Sequence, residues 1–379
     1  MDFDLTNEQR MIRDVSREFA DQVIAPRAEV MEKTGEFPYD IMAKMGKLGM
    51  MGIPFLEAYG GSGGDWVSLH LCIEELSRGD GTFGALLDVT TSVAGQELNV
   101  FGTEEQKKKW LVPIAKGEKV GAFALTEPDC GSDAAALKTR AVLRRGEWIL
   151  NGTKTFISFI ALENASLVLV AARTNEDTIS AFIVPRGSPG FEVGGKMDKI
   201  AMHAAYTSQV YFEDCRIPEE NLLGDPTRGF AQHLAVLETG RISIAAIAVG
   251  MAQACLDQAL RYSKTRVAFG QPIFHFEAIQ FKLADMAVAI ELGRNQYLKA
   301  AWLKDQGRNH TLEATVAKVF ASEMAEKVAS DAVHIHGGYG FMSEYPVSRY
   351  YRGAKLLQIV EGTSEIQRMI LGRILWKRG

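Results

Sequence analysis

The sequence predicts a multi-domain α and β protein: an N-terminal all-α domain over residues 1–117, a middle β-barrel or sandwich domain over 118–226, and a C-terminal four-helix bundle over 227–379. Three observations predict it. At 379 residues the chain exceeds one ordinary hydrophobic core, since domains commonly run roughly 100–200 residues. Apolar residues recur at helical spacing at both ends of the chain and give way to short β-rich runs between them. Those runs form one block and do not alternate with helices, which argues against βα units and a doubly wound nucleotide fold.

Thr6 with Gln9 three residues later is a capping-box pattern, after which Ile12, Val15, Phe19 and Val23 follow a helical period. Pro26 predicts a kink or a break. Gly-rich loops at 60–64 and around 79–84 separate further helical stretches, and Thr103 opens a helix that should end near Pro113. From about Val120 to Arg216 the period changes. Asn151-Gly152, between the runs 140–150 and 154–157, is a strong hairpin signal. The runs 167–172, 179–184 and 209–212 are β-rich and bounded by Gly, Pro, Asn or Asp. After Pro226 no proline occurs until Pro272, and residues 242–262 carry a broad apolar face. Further helices are predicted at 277–304, 311–335 and 363–376, and long helices with short links predict an antiparallel bundle.

Composition excludes several classes. A hydrophobic fraction of 47% with 23% charged residues is that of a folded globular chain. Lys plus Arg is 42 against 47 for Asp plus Glu, and no block of five or six like charges suggests nucleic-acid binding. Cys72, Cys130, Cys215 and Cys255 form no Cys-x-x-Cys pair, so neither a zinc site nor a disulfide framework is expected. Scattered thiols fit a reducing compartment. The N-terminus is acidic where a targeting leader would be basic, and the apolar stretches are too short or too broken for a bilayer. A cytoplasmic protein without membrane insertion is expected, a mature organellar form reading the same.

Some motif matches fail on context. Gly79-Asp-Gly81-Thr-Phe-Gly84 satisfies G-x-G-x-x-G but follows a helical run where the dinucleotide fingerprint needs a strand. The run from Gly190 to Lys196 ends in Met197, where a phosphate-binding loop needs Ser or Thr. Gly60-Gly-Ser62-Gly-Gly64 lacks the leading strand of a nucleophile elbow. His334-Ile-His336 has no third ligand in view, so loop or interface histidines are expected and no metal.

Three segments together resemble the acyl-CoA dehydrogenase family across essentially the whole chain. They are Ala124-Leu125-Thr126-Glu127-Pro128-Asp129-Cys130-Gly131-Ser132-Asp133; His336-Gly337-Gly338-Tyr339-Gly340-Phe341 through Glu344-Tyr345-Pro346 to Arg352 and Lys355; and Glu361-Gly362-Thr363-Ser364-Glu365-Ile366-Gln367-Arg368. The resemblance implies FAD-dependent α,β-dehydrogenation of an acyl-CoA thioester on a helical domain, a β domain and a helical bundle. It also implies electrons passed to an electron-transfer flavoprotein, and a homotetramer, a dimer of dimers, whose neighbouring subunits complete the FAD sites.

A thioester α-hydrogen is weakly acidic, so the chemistry needs a desolvated carboxylate as base. By resemblance Glu361 is that base; an exposed cap before the last helix is the plainer reading of the same residue. Relatives that carry the base elsewhere place it at the position of Gly240, which cannot supply a carboxylate. Phe123, Leu125, Thr126, Gly131, Ser132, Phe156 and Ser158 are implied at the flavin, with Gly362, Thr363 and Glu365 after the base. Arg266, Phe269, Phe276, Glu277, His334 and Gly338 are implied at a neighbour's FAD. Ser132, Glu238, Arg241, Gly362 and Arg373 are implied at the acyl-CoA, although a structural ion pair also explains Glu238 with Arg241.

Three residues depart from the family pattern. His334 and Glu277 replace usual glutamines, and Asp88 puts a carboxylate in the stretch 86–92 that resembles the floor of the acyl pocket. Asp88 is either on a polar helix face or meets a polar or ring-bearing acyl group. The substrate class expected is a short, branched or alicyclic acyl-CoA. A same-fold oxygen-using flavoenzyme, either an acyl-CoA oxidase or a flavin monooxygenase, remains open, as does a non-catalytic FAD-binding scaffold. Oxygen reactivity of the reduced flavin separates the first from a dehydrogenase; an intact Glu361 and an acidic net charge weigh against the second.

Overall fold

A computed structural model describes residues 4–377; the outermost residues of the first and third expected domains lie outside that range. The N-terminal part holds α1 (Asn7–Phe19), α2 (Ala28–Thr34), α3 (Tyr39–Lys47), α4 (Trp66–Gly79), α5 (Gly81–Leu87), α6 (Gln96–Phe101), α7 (Glu104–Gln106) and α8 (Val112–Ala115). Both capping boxes form: Thr6 and Thr103 each accept from the backbone N–H three residues on, and Gln9 and Gln106 reach back. Around Pro26 the chain passes through a π-helical turn, Ala20–Ile24, and a 3-10 turn, Ala25–Arg27, which is the break expected of a proline without an N–H.

Two local expectations are corrected. Residues 79–84 are not a loop: only Asp80 interrupts the helices, its carboxylate accepting from Thr82 N and capping α5. The helix opened by Thr103 runs two residues past Pro113, to Ala115, and the turn before the proline, Lys107–Leu111, is π-helical.

The middle part has eight strands: β1 (Val120–Ala124), β2 (Arg140–Arg144), β3 (Glu147–Ser158), β4 (Ala165–Arg173), β5 (Ile179–Pro185), β6 (Phe191–Lys196), β7 (Thr207–Pro218) and β8 (Leu222–Leu223). Their order is β6-β7-β3-β2-β4-β5-β8, with β1 parallel to β4. The two wings of this sheet are joined through one pairing, Arg140 with Arg173. They close on a shared core: Leu150, Val210 and Phe212 from one wing meet Val168, Val170 and Phe182 from the other. Asn151-Gly152 is not the hairpin turn. Both residues lie inside β3, and the β2–β3 turn falls at Arg145-Gly146, where both have positive φ (54° and 82°).

The C-terminal part contains α9 (Gly229–Thr265), α10 (Glu277–Asp305), α11 (Thr311–His336), α12 (Pro346–Leu357) and α13 (Ser364–Trp376), with a two-stranded ribbon, β9 (Val267–Ala268) and β10 (Gln271–Pro272), after α9. The helix expected over 242–262 is thus 37 residues long. It is apolar enough to cross a membrane by composition, yet Ile242–Ala252 is buried without a gap among α4, α10 and α11. It is the core helix of the bundle. His334 and His336 end α11 and do not lie in a loop.

Candidate active site

The segment between α12 and α13 reverses at Glu361-Gly362, with φ of 53° and 96°. A Cβ on Gly362 would meet Gln367 Nε2 at 2.7 Å, so only glycine fits that turn. Lys318 Nζ, fully buried on α11, donates to Gly362 O at 2.6 Å, and Gln367 Nε2 donates to the carbonyls of Glu361 and Gly362, both at 3.1 Å. Thr363 Oγ1 accepts from Ile366 N and caps α13. The helix-cap reading therefore holds for Thr363, and Glu361 is left free to point inward.

Although Glu361 as a residue is only half-buried, its Oε2 is sealed from solvent with no hydrogen-bond donor. It lies on α9: a Cβ at Gly240 would fall 2.6 Å from Glu361 Cδ and nearer still to Oε2. The carboxylate thus fills the space where a side chain at position 240 would begin. Arg241, 7% exposed, and Lys318 act on it electrostatically. Burial pushes the Glu361 carboxyl up, opposed by a hydrogen bond with Asp88 and by those two cations.

Asp88 opens a π-helical stretch, Asp88–Gly95, that continues α5, and it is 2% exposed. It is not on a polar face open to water. Its Oδ1 has no donor, and Glu361 and Ser243 are the groups that act on its carboxyl. Burial first, then the charge of Glu361, hold it well above the usual carboxylate range. Behind it, Ser243 Oγ bonds Ser92 Oγ at 2.8 Å and His70 Nε2 at 3.2 Å, and His70 Nδ1 bonds Trp66 O at 2.6 Å. Burial lowers His70 to about 4, so it is neutral.

The flavin segment follows β1. Lys154 Nζ, fully buried, donates to Leu125 O and to Glu127 Oε1, both at 2.9 Å, and Glu127 also accepts from the N–H groups of Lys138 and Thr139. Thr155 N donates to Thr126 O at 3.0 Å and ties this loop to the end of β3. There the β3–β7 register slips between Lys154 and Ile157, and Phe156 projects with φ 61° and 63% exposure; Ser158 ends the strand. Gly131 and Ser132 lie on the exposed part of the loop. Leu237 of α9, one turn before Gly240, packs against the apolar cluster that Leu125 forms with Cys130, Leu137, Ala171 and Ile179, which sets the loop beside this part of α9. Phe123 is half-buried against the His233 ring, 4.6 Å between centroids. An exposed aromatic in a strained backbone, beside a loop braced by a buried ion pair, fits a flat aromatic cofactor laid over it.

Glu238 accepts from Thr311 Oγ1 at 2.9 Å and interacts with Arg241, so it has a structural partner whatever else it touches. Glu365 is exposed in the first turn of α13, and Arg373 is exposed in its last turn, away from the pair. The remaining predicted residues gather elsewhere. Arg266 and Gly338 line a cavity of about 460 Å³ with Tyr262, Ile273, His336 and Phe341. Phe269, 95% exposed at φ 51°, stands edge-on to Phe276, and Glu277 is exposed next in sequence; His334 is exposed in the last turn of α11. From Gly240 to Arg266 along α9 is ~39 Å at 1.5 Å per residue. One chain does not bring these two groups together.

Several contributors escaped the sequence reading. Lys318 interrupts an apolar face between Ala314, Ala317 and Ala321, a signal that could have marked it. Gln367 lies within the Glu361–Arg368 segment. Ser243 and His70 carry no local signal.

Family models match residues 6–118 (acyl-CoA dehydrogenase, N-terminal domain), 122–215 (middle domain) and 227–376 (C-terminal domain). The chain is 50% identical over 380 residues to the probable acyl-CoA dehydrogenase YngJ of Bacillus subtilis, covering 100% of both. A chain from structural work on the electron transferring flavoprotein of Acidaminococcus fermentans and flavin-based electron bifurcation superposes with a TM-score of 0.97 and 45% identity, over 99% of each chain. Butyryl-CoA dehydrogenase from Megasphaera elsdenii gives 0.96 and 41%, over 99% of this chain and 100% of that one.

Proposed function

Because this chain belongs to the acyl-CoA dehydrogenase family, FAD-dependent oxidoreductases acting on acyl-CoA, we propose that Glu361 is the base that takes the α-proton as the trans-2-enoyl-CoA forms. The observation that carries this is the sealed Glu361 Oε2, seated on Gly240 one turn from the Leu125 loop. A desolvated carboxylate is a stronger base than one in water, and Arg241 and Lys318 oppose that upward shift and favour its charged form. The backbone N–H of Glu361 is the donor this chain offers the developing enolate oxygen, an interaction typically worth on the order of 10²–10³ in rate. Leu125, Thr126 and Phe156 hold the flavin ring and exclude water from the slot. When bound, FAD supplies the acceptor for the β-hydride.

The acyl group is read as short, branched or alicyclic, supported by the likeness to a butyryl-CoA dehydrogenase. Electron-transfer flavoprotein is the partner proposed, supported by the structural likeness to a chain from work on such a protein. The separation of Arg266 and Gly338 from Glu361 along α9 supports a homo-oligomer, read as a tetramer, in which each FAD site takes residues from two chains. Four buried, unpaired cysteines support a reducing compartment, read as the cytoplasm. Flavin bleaching under nitrogen across straight, branched and cyclic acyl-CoAs identifies the substrate. Glu361→Gln should retain FAD and lose about 10²–10⁴ in turnover. Near-normal turnover would end the assignment.

A further inference from the structure

Asp88 belongs to no motif that carries the reading above, yet it is the most enclosed carboxyl next to the proposed base. We propose that Asp88 is a positioning residue that shares one proton with Glu361, so that the resting site is a carboxyl–carboxylate pair and not a lone base. The inference rests on Glu361 being the base.

Two observations carry it. Asp88 Oδ1 and Glu361 Oε2 are each buried without a partner among the described residues. Both lie along one stretch of α9: Glu361 is seated on Gly240, while the segment carrying Asp88 packs there through Gly84 against Ile247 and Ser92 Oγ on Ser243 Oγ at 2.8 Å, so that the two carboxyls act on each other. Two carboxylates in that arrangement would repel in a low dielectric; one proton between them turns the repulsion into a charge-assisted hydrogen bond. The surroundings decide where the proton rests. Arg241 from α9 and Lys318 from α11 act on Glu361 and favour its charge. Asp88 faces Ser243 and, behind it, neutral His70 and Ser92, with no cation among the groups acting on it. Asp88 therefore keeps the proton and donates to Glu361, which fixes the Glu361 carboxylate over Gly240. When Glu361 takes an α-proton, the C–H pair stays on the thioester as its enolate and the pair holds two protons. The second is returned to water, which restores the resting state.

The test uses acetyl-CoA, which has α-hydrogens and no β-hydrogen, so its exchange with solvent deuterium reports the base without any hydride transfer. The exchange rate of the FAD-loaded enzyme is followed against pH by NMR. Wild type should show two inflections: a rise as the pair loses its first proton, and a fall at higher pH as it loses the second, because a doubly charged pair repels the enolate. Asp88→Asn keeps a donor that cannot ionise, so the rise should stay and the upper inflection vanish. Asp88→Leu removes the donor, and the rise should move up by about one to two pH units, the worth of one hydrogen bond to a charged group. A single inflection in wild type, or variants that keep FAD and superpose on wild type, would overturn the pair. Glu361→Gln should abolish exchange; if it does not, the base assignment fails instead, and the two failures are told apart.

Discussion

Gly240 and Glu361 show how one atom position can be reached from two places in a sequence. The sequence reading took Gly240 only as the absence of an alternative base. The structure shows it as the seat of the carboxylate, because a Cβ there would collide with Glu361 Cδ and Oε2. Gly240→Ala is therefore informative. Alanine gains about 0.8–1.0 kcal/mol of helix propensity over glycine in a helix interior, and the group it displaces is the end of a flexible side chain. The expected outcome is a thermal midpoint unchanged or raised, with turnover down about 10²-fold as the base is pushed off its seat. Scanning fluorimetry beside steady-state turnover reads both; a variant with lost stability and intact turnover would contradict the seat. Individual roles were legible where a residue sits in a short motif, as Glu361 and Thr126 do. Lys318 and Ser243 were not, because their partners lie 44 residues away at Gly362 and 173 away at His70, and only the bundle closes those gaps.

At the scale of elements, the β domain was legible as a block but not in its turns. Asn151-Gly152 carries the strongest local hairpin signal, yet pairing with both β2 and β7 keeps it inside β3. Sheet formation on two sides outweighed turn propensity, and the reversal went to Arg145-Gly146. The same strand end braces the flavin loop through Lys154, whose ammonium is fully buried between Leu125 O and Glu127. Lys154→Met leaves a buried carboxylate without its cation, a change that typically costs 3–5 kcal/mol, so about that loss is expected. FAD should also be lost on gel filtration. Adding Glu127→Gln removes the lone charge and should restore most of the stability. It should not restore FAD retention, because Leu125 O still lacks its donor. Chemical denaturation and the ratio of flavin to protein absorbance separate the two effects; joint recovery would show that Lys154 serves the fold alone.

For the whole molecule, the α–β–α layout was readable from periodicity because each part keeps one hydrophobic period over many residues. How chains combine was not, since no pattern along one chain marks a surface that meets its copy. The structure supplies the missing argument by distance: ~39 Å of helix α9 separates Gly240 from Arg266 at 1.5 Å per residue, and Phe269 stands 95% exposed at the far end. If each FAD site takes Glu361 from one chain and Arg266 from another, two inactive variants can repair each other. Glu361→Gln lacks the base and keeps Arg266; Arg266→Ala keeps the base and lacks the arginine it lends. In dimers formed at random from equal amounts, half are mixed and one of their two sites is intact, so about a quarter of all sites should work. Co-expression in equal amounts, purification through one tag carried by both chains so that no dimer is selected, and turnover per flavin provide the measurement. Mixed enzyme no more active than either parent would place both residues in the service of one chain's own cofactor, which the length of α9 does not allow without rearranging the bundle.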